Sequence, residues 1–357
     1  MADAFKYNVA DVIKCKSCGA DMVFDPASQQ LRCPYCDITR DIEKRVPHIR
    51  DFASERQSGG VAVDGDVYKC PNCGGESEIQ GFSTAVACPF CGGTNVIKLE
   101  DMKGLKPDSV LPFAMTRDSA AEAGKRWIKK RLLAPSKLKK NFTVDKFNGV
   151  YIPSFAFDSD TFSKYDGRFG EDKTRTVQTK DGPKTEHYIE WYHVSGNWNR
   201  SFANTMVESS TQIQQDEFNK ILPYDMNNAT AYTREYLAGF SAERYDTSLD
   251  DSFGIAKQEM DAVIRSEIKA HYNPDHVDYL NVSTTFSNVK FRYTLLPLWI
   301  CAYKFKEKLY RFLVNARTGR ATGKAPKSPL KITFIVFAVL AVIAAIIAII
   351  AFGGGAE

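Results

Sequence analysis

The chain carries none of the common catalytic signatures. No G-x(4)-G-K-[ST] phosphate loop is present; the nearest string, TGRATGKAP, lacks the hydroxyl residue after its lysine. Neither H-E-x-x-H, nor H-x-E with P-C-x-x-C, nor G-x-S-x-G occurs. The expectation is therefore a protein that is not an enzyme, with no catalytic residues. A strong net charge is missing too: 47 Lys and Arg face 43 Asp and Glu, a balance of +4. The N-terminus lacks the apolar core of a secretory signal, because Asp3, Lys6, Asp11 and Lys14 interrupt it. Nor do the nine cysteines read as a disulfide framework. Eight of them fall in four C-x-x-C pairs, a spacing that suits metal and a reducing compartment. With 44% apolar and 25% charged residues the chain is globular in composition.

The pairs form two matching units. Cys15 and Cys18 are followed after fourteen residues by Cys33 and Cys36; Cys70 and Cys73 by Cys88 and Cys91, again after fourteen. A C-x-x-C turn aims two thiolates at one cation, and two such turns complete a tetrahedron with zinc–sulfur distances of about 2.3 Å. The residue after each second cysteine needs a left-handed backbone, which Gly19, Gly74 and Gly92 suit and Asp37 tolerates. Iron in rubredoxin-like knuckles and redox-active dithiols are the competing readings. Four thiolates leave no open position, so the spacing predicts two structural Zn2+ ions. Residues 1–100 hold 11 Lys or Arg against 14 Asp or Glu. Each Zn(Cys)4 centre adds about two further negative charges, which disfavours phosphate and favours protein contact.

The expected domain order is a first ribbon at 1–43, a linker at 44–66 containing ERQSGGVAVDGD, and a second ribbon at 67–100. An α+β cytosolic domain follows at 105–322. Within it Ser119–Leu133 reads as a helix capped by Ser119 and ended by Pro135. GVYIPSFAFDSDTF, HYIEWYHVSGNW and RSFANTMVESS read as strands, DEFNKIL and DSFGIAKQEMDAVIRSEIKAHY as helices, and the stretch from NVKFRY to NARTG as strands again. YIPSF near Pro153 is faintly echoed by LLPLW near Pro297. Between Arg117 and Lys140 stand nine basic and two acidic residues. Lys125, Arg126, Lys129, Lys130, Arg131, Lys137, Lys139 and Lys140 form either a solvated face, a contact to anionic lipid, or a phosphate contact. His187 and His193 share a strand face as ordinary residues, and Cys301 reads as a buried apolar residue.

Ile332–Phe352 is a run of 21 uncharged, mostly apolar residues, predicting a transmembrane helix of about 30 Å. Arg317, Arg320, Lys324, Lys327 and Lys331 precede it, the last three of them in a basic juxtamembrane segment at 323–331, and a short tail follows at 353–357. The positive-inside bias then places the N-terminal bulk in the cytoplasm, as a single-pass, tail-anchored protein of the bacterial plasma membrane. The sequons at Asn141, Asn228 and Asn281 are chance matches in that orientation.

The order of these features resembles the bacterial double zinc-ribbon membrane proteins, called TFIIB-type zinc-ribbon or YdjG-like proteins and sometimes labelled PriA-like helicases. IKCKSCGADMVFDPASQQLRCPYC, LPFAMTRDSAAEAGKRWIKKRLLAP, GVYIPSFAFD and LPLWICAYKFKEKLYRFLVNARTGRATGKAPKS carry the likeness, with the final helix. The resemblance implies an adaptor that recruits a cytosolic protein, a phage-shock-protein-A-type coat, to the inner leaflet in envelope stress. The rival expectation is a membrane-attached nucleic-acid-binding or replication protein without helicase motifs. No small-molecule substrate is expected.

Overall fold

The computed structural model describes residues 13–58, 61–62, 67–69, 76–78, 97–99, 103–135, 147–180, 182–210, 212–243, 245–305 and 308–353. A small antiparallel sheet opens the chain: β1 (Val23–Asp25), β2 (Gln30–Arg32) and β3 (Thr39–Arg40). The Asp25 carboxylate accepts the Ala27 and Ser28 amides at 3.1 and 3.3 Å, closing the β1–β2 turn. Next come β4 (Arg50–Asp51) and α1 (Phe52–Ser58), inside the stretch read as a linker. Asp51 accepts the Ser54 amide at 2.9 Å, and Phe52 is buried against Phe157, Phe253 and Phe291.

Short strands follow: β5 (Val61–Ala62), β6 (Val67–Lys69), β7 (Glu76–Glu78), β8 (Ile97–Leu99), β9 (Lys103–Gly104) and β10 (Ser109–Val110). Then α2 runs over Arg117–Lys129. Its cap is Thr116, not Ser119: the Thr116 hydroxyl accepts the Ser119 amide at 3.3 Å. Thr116→Ala is expected to cost about 1 kcal/mol, read by urea denaturation. Three elements dominate the rest. β11 (Phe147–Thr179) and β12 (Gly182–Glu208) form one hairpin, and β15 (His276–Phe305) pairs with β11 on its other edge. At about 3.3 Å per residue β11 traces roughly 110 Å of backbone. Between them lie α3 (Gln215–Asn219), β13 (Thr230–Ala231), β14 (Ser241–Glu243) and α4 (Leu249–Tyr272). The chain ends with β16 (Lys308–Asn315), β17 (Ala321–Gly323) and α5 (Pro329–Gly353).

One sheet joins most of these strands in the order β13-β10-β15-β11-β14-β7-β6-β8, with β12 on β11 and β16–β17 on β15. The protein is thus mostly β, which corrects the α+β assignment. The physical reason lies in the hairpin. Its outer half, DGRFGEDKTRTVQTKDGPKTE, is polar and glycine-bearing and falls between the segments read as strands, yet cross-strand pairing runs unbroken to Thr179↔Gly182. YIPSF and LLPLW turn out to be neighbours, Tyr151 pairing with Pro297 and Pro153 with Leu295.

Packing is one-sided along the ribbon. From α4, Ile264 and Ile268 cover Tyr165, Phe169 and Val194 on one face. Ser248 caps α4 through the Asp251 amide at 3.1 Å, and Asn273 ends it in a left-handed conformation at φ 47°. Nearer the base, Phe155, Phe157, Phe291 and Tyr293 build an aromatic core.

The C-terminal region requires a second correction. A helix does form at α5, but among the described residues no helix is long and apolar enough to cross a membrane. The transmembrane assignment of 332–352, and the single-pass plasma-membrane localisation resting on it, are therefore withdrawn. Several of the basic residues read as a positive-inside flank are engaged within the protein. Lys331 Nζ donates to the Ala134 carbonyl at 2.7 Å, Arg317 to Pro112 at 3.4 Å, and Arg320 to the Leu222 carbonyl.

Candidate metal centre

Two tight turns present the first four cysteines. In one, the Gly19 amide donates to the Cys15 carbonyl at 2.9 Å and the Cys15 amide to Ala20 at 2.8 Å. The other repeats this pattern: Asp37 to Cys33 at 3.1 Å and Cys33 to Ile38 at 2.9 Å. Gly19 and Asp37 adopt φ of 74° and 59°, the left-handed backbone expected after each second cysteine. Asp37 is further held by Arg32 at 2.7 Å.

The thiols converge. Cys15 and Cys36 Sγ lie 3.5 Å apart, Cys18 and Cys33 Sγ 3.4 Å, and all four sulfurs fall within 4.8 Å of one another. A tetrahedron of 2.3 Å metal–sulfur bonds has edges of roughly 3.8 Å, so the set matches a single ion. All four are free thiols, with Cys15 and Cys33 buried and Cys18 exposed. Amides aimed at sulfur favour the thiolate. The Cys18 and Ser17 amides bring Cys15 down to about 6, and the Tyr35 amide, foremost, lowers Cys33. The Ile38 amide also pulls on Cys36, yet the neighbouring Cys33 and Cys15 sulfurs push that thiol up to about 12. Cys18 is likewise raised: the Ala20 amide favours its thiolate, but Cys33 beside it and burial outweigh that. Four thiols so close cannot all ionise without a cation among them. These residues form a site able to hold one metal ion.

The second set, Cys70, Cys73, Cys88 and Cys91, with Gly74 and Gly92, lies outside the described residues. So do Lys137, Lys139 and Lys140. The rest of the basic stretch is on or just past α2 and does not act as one cluster. Lys125 pairs with Glu122 at 2.8 Å, while the Arg131 guanidinium lies 4.6 Å above the Trp127 ring, which stacks on Phe312. Arg126, Lys129 and Lys130 are exposed. His187 and His193 stand opposite Thr174 and Arg168 on β11, and Cys301 is buried.

Two features escaped the sequence reading. One is a pair of buried glutamates beside β14. Glu208 and Glu243 are 4% and 1% exposed. Burial pushes the Glu208 carboxyl up to about 8 and raises Glu243 well above the carboxylate range; Asp246 opposes the ionisation of both, and Glu208 that of Glu243. The second is the ribbon face turned away from α4. There Phe162, Ile189, Trp191 and Tyr279 are 36–41% exposed, and Arg168 lies 5.2 Å over Trp191. The D-G pair at 181–182, a strong hairpin signal, was the available clue to it. A cavity of about 240 Å³ between β12 and α4 is lined by Met206, Leu222, Tyr224, Met260 and Val263, with Glu259 held by Asn219 at 2.8 Å.

No family model matches the chain, and no solved structure matches it. The chain resembles YdjG. That relative, the uncharacterized protein YdjG of Bacillus subtilis (strain 168), is 28% identical over 325 residues, covering 89% of this chain and 91% of its own length.

Proposed function

We propose that this protein is a zinc-stabilised adaptor that binds another protein and performs no chemistry of its own. The observation that carries the reading is the uncovered face of the β11–β12–β15 ribbon. Phe162, Ile189, Trp191 and Tyr279 stand partly exposed there on a rigid scaffold. Exposed aromatic residues on an ordered surface are typical anchors of protein contacts. The cysteine site supports it from the other end of the chain: four thiolates around Zn2+ complete its coordination and make the ion structural. A second Zn2+ in Cys70, Cys73, Cys88 and Cys91 follows from the repeated spacing. The cavity against α4 is mostly apolar and brings no acid–base pair to one point, which favours binding over catalysis.

The partner suggested by the resemblance is a phage-shock-protein-A-type coat. Capture from crosslinked cells, with and without nuclease, tests the proposal against nucleic-acid binding. The wild type is expected to retain a protein partner after nuclease, and Ile189→Ala/Trp191→Ala to lose most of it. A variant that captures the partner undiminished would falsify the ribbon-face reading. Partners that vanish on nuclease treatment would instead favour phosphate contact through Lys129, Lys130 and Arg131.

A further inference from the structure

The metal site is not an appendage. Cys15 and Cys33, with Met22, Phe24 and Leu31, share one buried cluster with Phe113, Tyr151, Tyr236 and Trp299 of the main body. The contact that joins them is β1 against the segment Arg234–Phe240. The Phe24 amide donates to the Ala238 carbonyl at 2.9 Å. Its ring meets Tyr236 edge-on at 5.4 Å and Phe240 at 6.4 Å. Gly239 sits under Val23 with φ at 86°; a Cβ there would come within 3.2 Å of the Val23 Cβ, so the approach requires glycine. At the edge, Arg40 of β3 reaches Glu235 at 3.7 Å.

What this segment leads into makes the contact consequential. Phe240 stacks on Phe113 at 4.1 Å and continues directly into β14. There Ala242 pairs with Glu78 and Glu243 with Ser77 of β7, and β7 pairs with β6, whose last residue, Lys69, precedes Cys70. On its other side β14 pairs with β11 at Val150–Tyr151. The strand linking the second cysteine unit to the long sheet is therefore positioned by a segment that β1 clamps.

A sheet of eight residues in three strands has too little core to hold itself, and metal binding free energy supplies its folding. We infer that metal in the first cysteine site acts as a latch: loading it clamps Arg234–Phe240, and losing it loosens β14 and the docking of β7 and β6. This inference rests on the metal reading of the first site and adds its consequence for the second. The device needs no movement in the loaded state, only that the clamped segment be less protected when β1 is released.

Hydrogen exchange on the full-length protein tests it, with metal content measured on the same samples. Cys18→Ser removes a ligand whose side chain is exposed, and Phe24→Ala cuts the clamp while leaving all four ligands. Cys18→Ser is expected to lose one metal equivalent, with amides of 234–243 and of β6 and β7 exchanging about tenfold faster or more. Phe24→Ala is expected to keep its metal and show the same acceleration. Metal loss in Cys18→Ser with unchanged exchange over 234–243 would overturn the latch, as would full protection in Phe24→Ala. Undiminished metal in Cys18→Ser would instead overturn the metal reading itself, and the latch with it.

Discussion

Phe291→Ala is expected to lower the unfolding free energy by about 3–5 kcal/mol. Phe291 is fully buried at the point where three elements meet. Its ring lies 6.3 Å from Phe52 of α1, 6.0 Å from Phe155 and 6.3 Å from Phe157 of β11. It also sits on β15 opposite Arg50 of β4, so its backbone holds the same junction that its ring fills. Truncation removes the transfer free energy of an aromatic side chain and leaves a cavity walled by strands that cannot collapse independently. The loss should appear as a lower urea midpoint with an unchanged slope. A cost below about 1 kcal/mol would mean that the aromatic cluster is not the shared core of β11, β15 and α1.

The second large effect is pH-dependent and opposite in sign. Glu243→Gln is expected to stabilise the protein, more strongly at pH 8 than at pH 5. An unfolded glutamate titrates near 4.3, whereas burial holds Glu208 at about 8 and Glu243 well above its ordinary value. Between those limits the folded chain binds more protons than the unfolded one, so stability falls as pH rises. The stabilisation from the protonated pair is fully present below about pH 4.3 and is lost as pH climbs through about 8. A neutral amide at 243 removes one of the two buried acids, the one whose ionisation Glu208 and Asp246 both oppose. The gain at pH 8 should reach a few kcal/mol, reduced by whatever relaxation the site allows. Melting temperature against pH for the two proteins reads it directly. Parallel curves would show that Glu243 carries no titration penalty.

How far the sequence foretold this molecule depended on whether the deciding interaction was local. Cys15, Cys18, Cys33 and Cys36 were legible because knuckle geometry is set within four residues, and even the left-handed turns at Gly19 and Asp37 could be anticipated. The cores of β11 and β15 were legible where apolar residues alternate, as in GVYIPSFAFD. The outer hairpin was not. Glu171–Thr179 owe their extended form to partners such as Glu190 and Gly182 across the ribbon, and no single segment encodes that pairing. Glu208 and Glu243 stand 35 positions apart and become a pair only when β12 and β14 both join β11. The helix at 329–353 shows the opposite error. Composition alone argued for a membrane span, but composition does not report where Arg317, Arg320 and Lys331 find their partners.

We propose that the first four cysteines, a set able to hold one metal ion, hold a zinc ion on which the adjoining core depends. Elemental analysis of purified full-length protein, comparing the wild type with Cys18→Ser/Cys36→Ser, tests it most directly. The double variant is expected to contain one zinc per chain fewer than the wild type, with Cys15 and Cys33 titrating as free thiols. Equal zinc in the two proteins, or another metal in place of zinc, would contradict it.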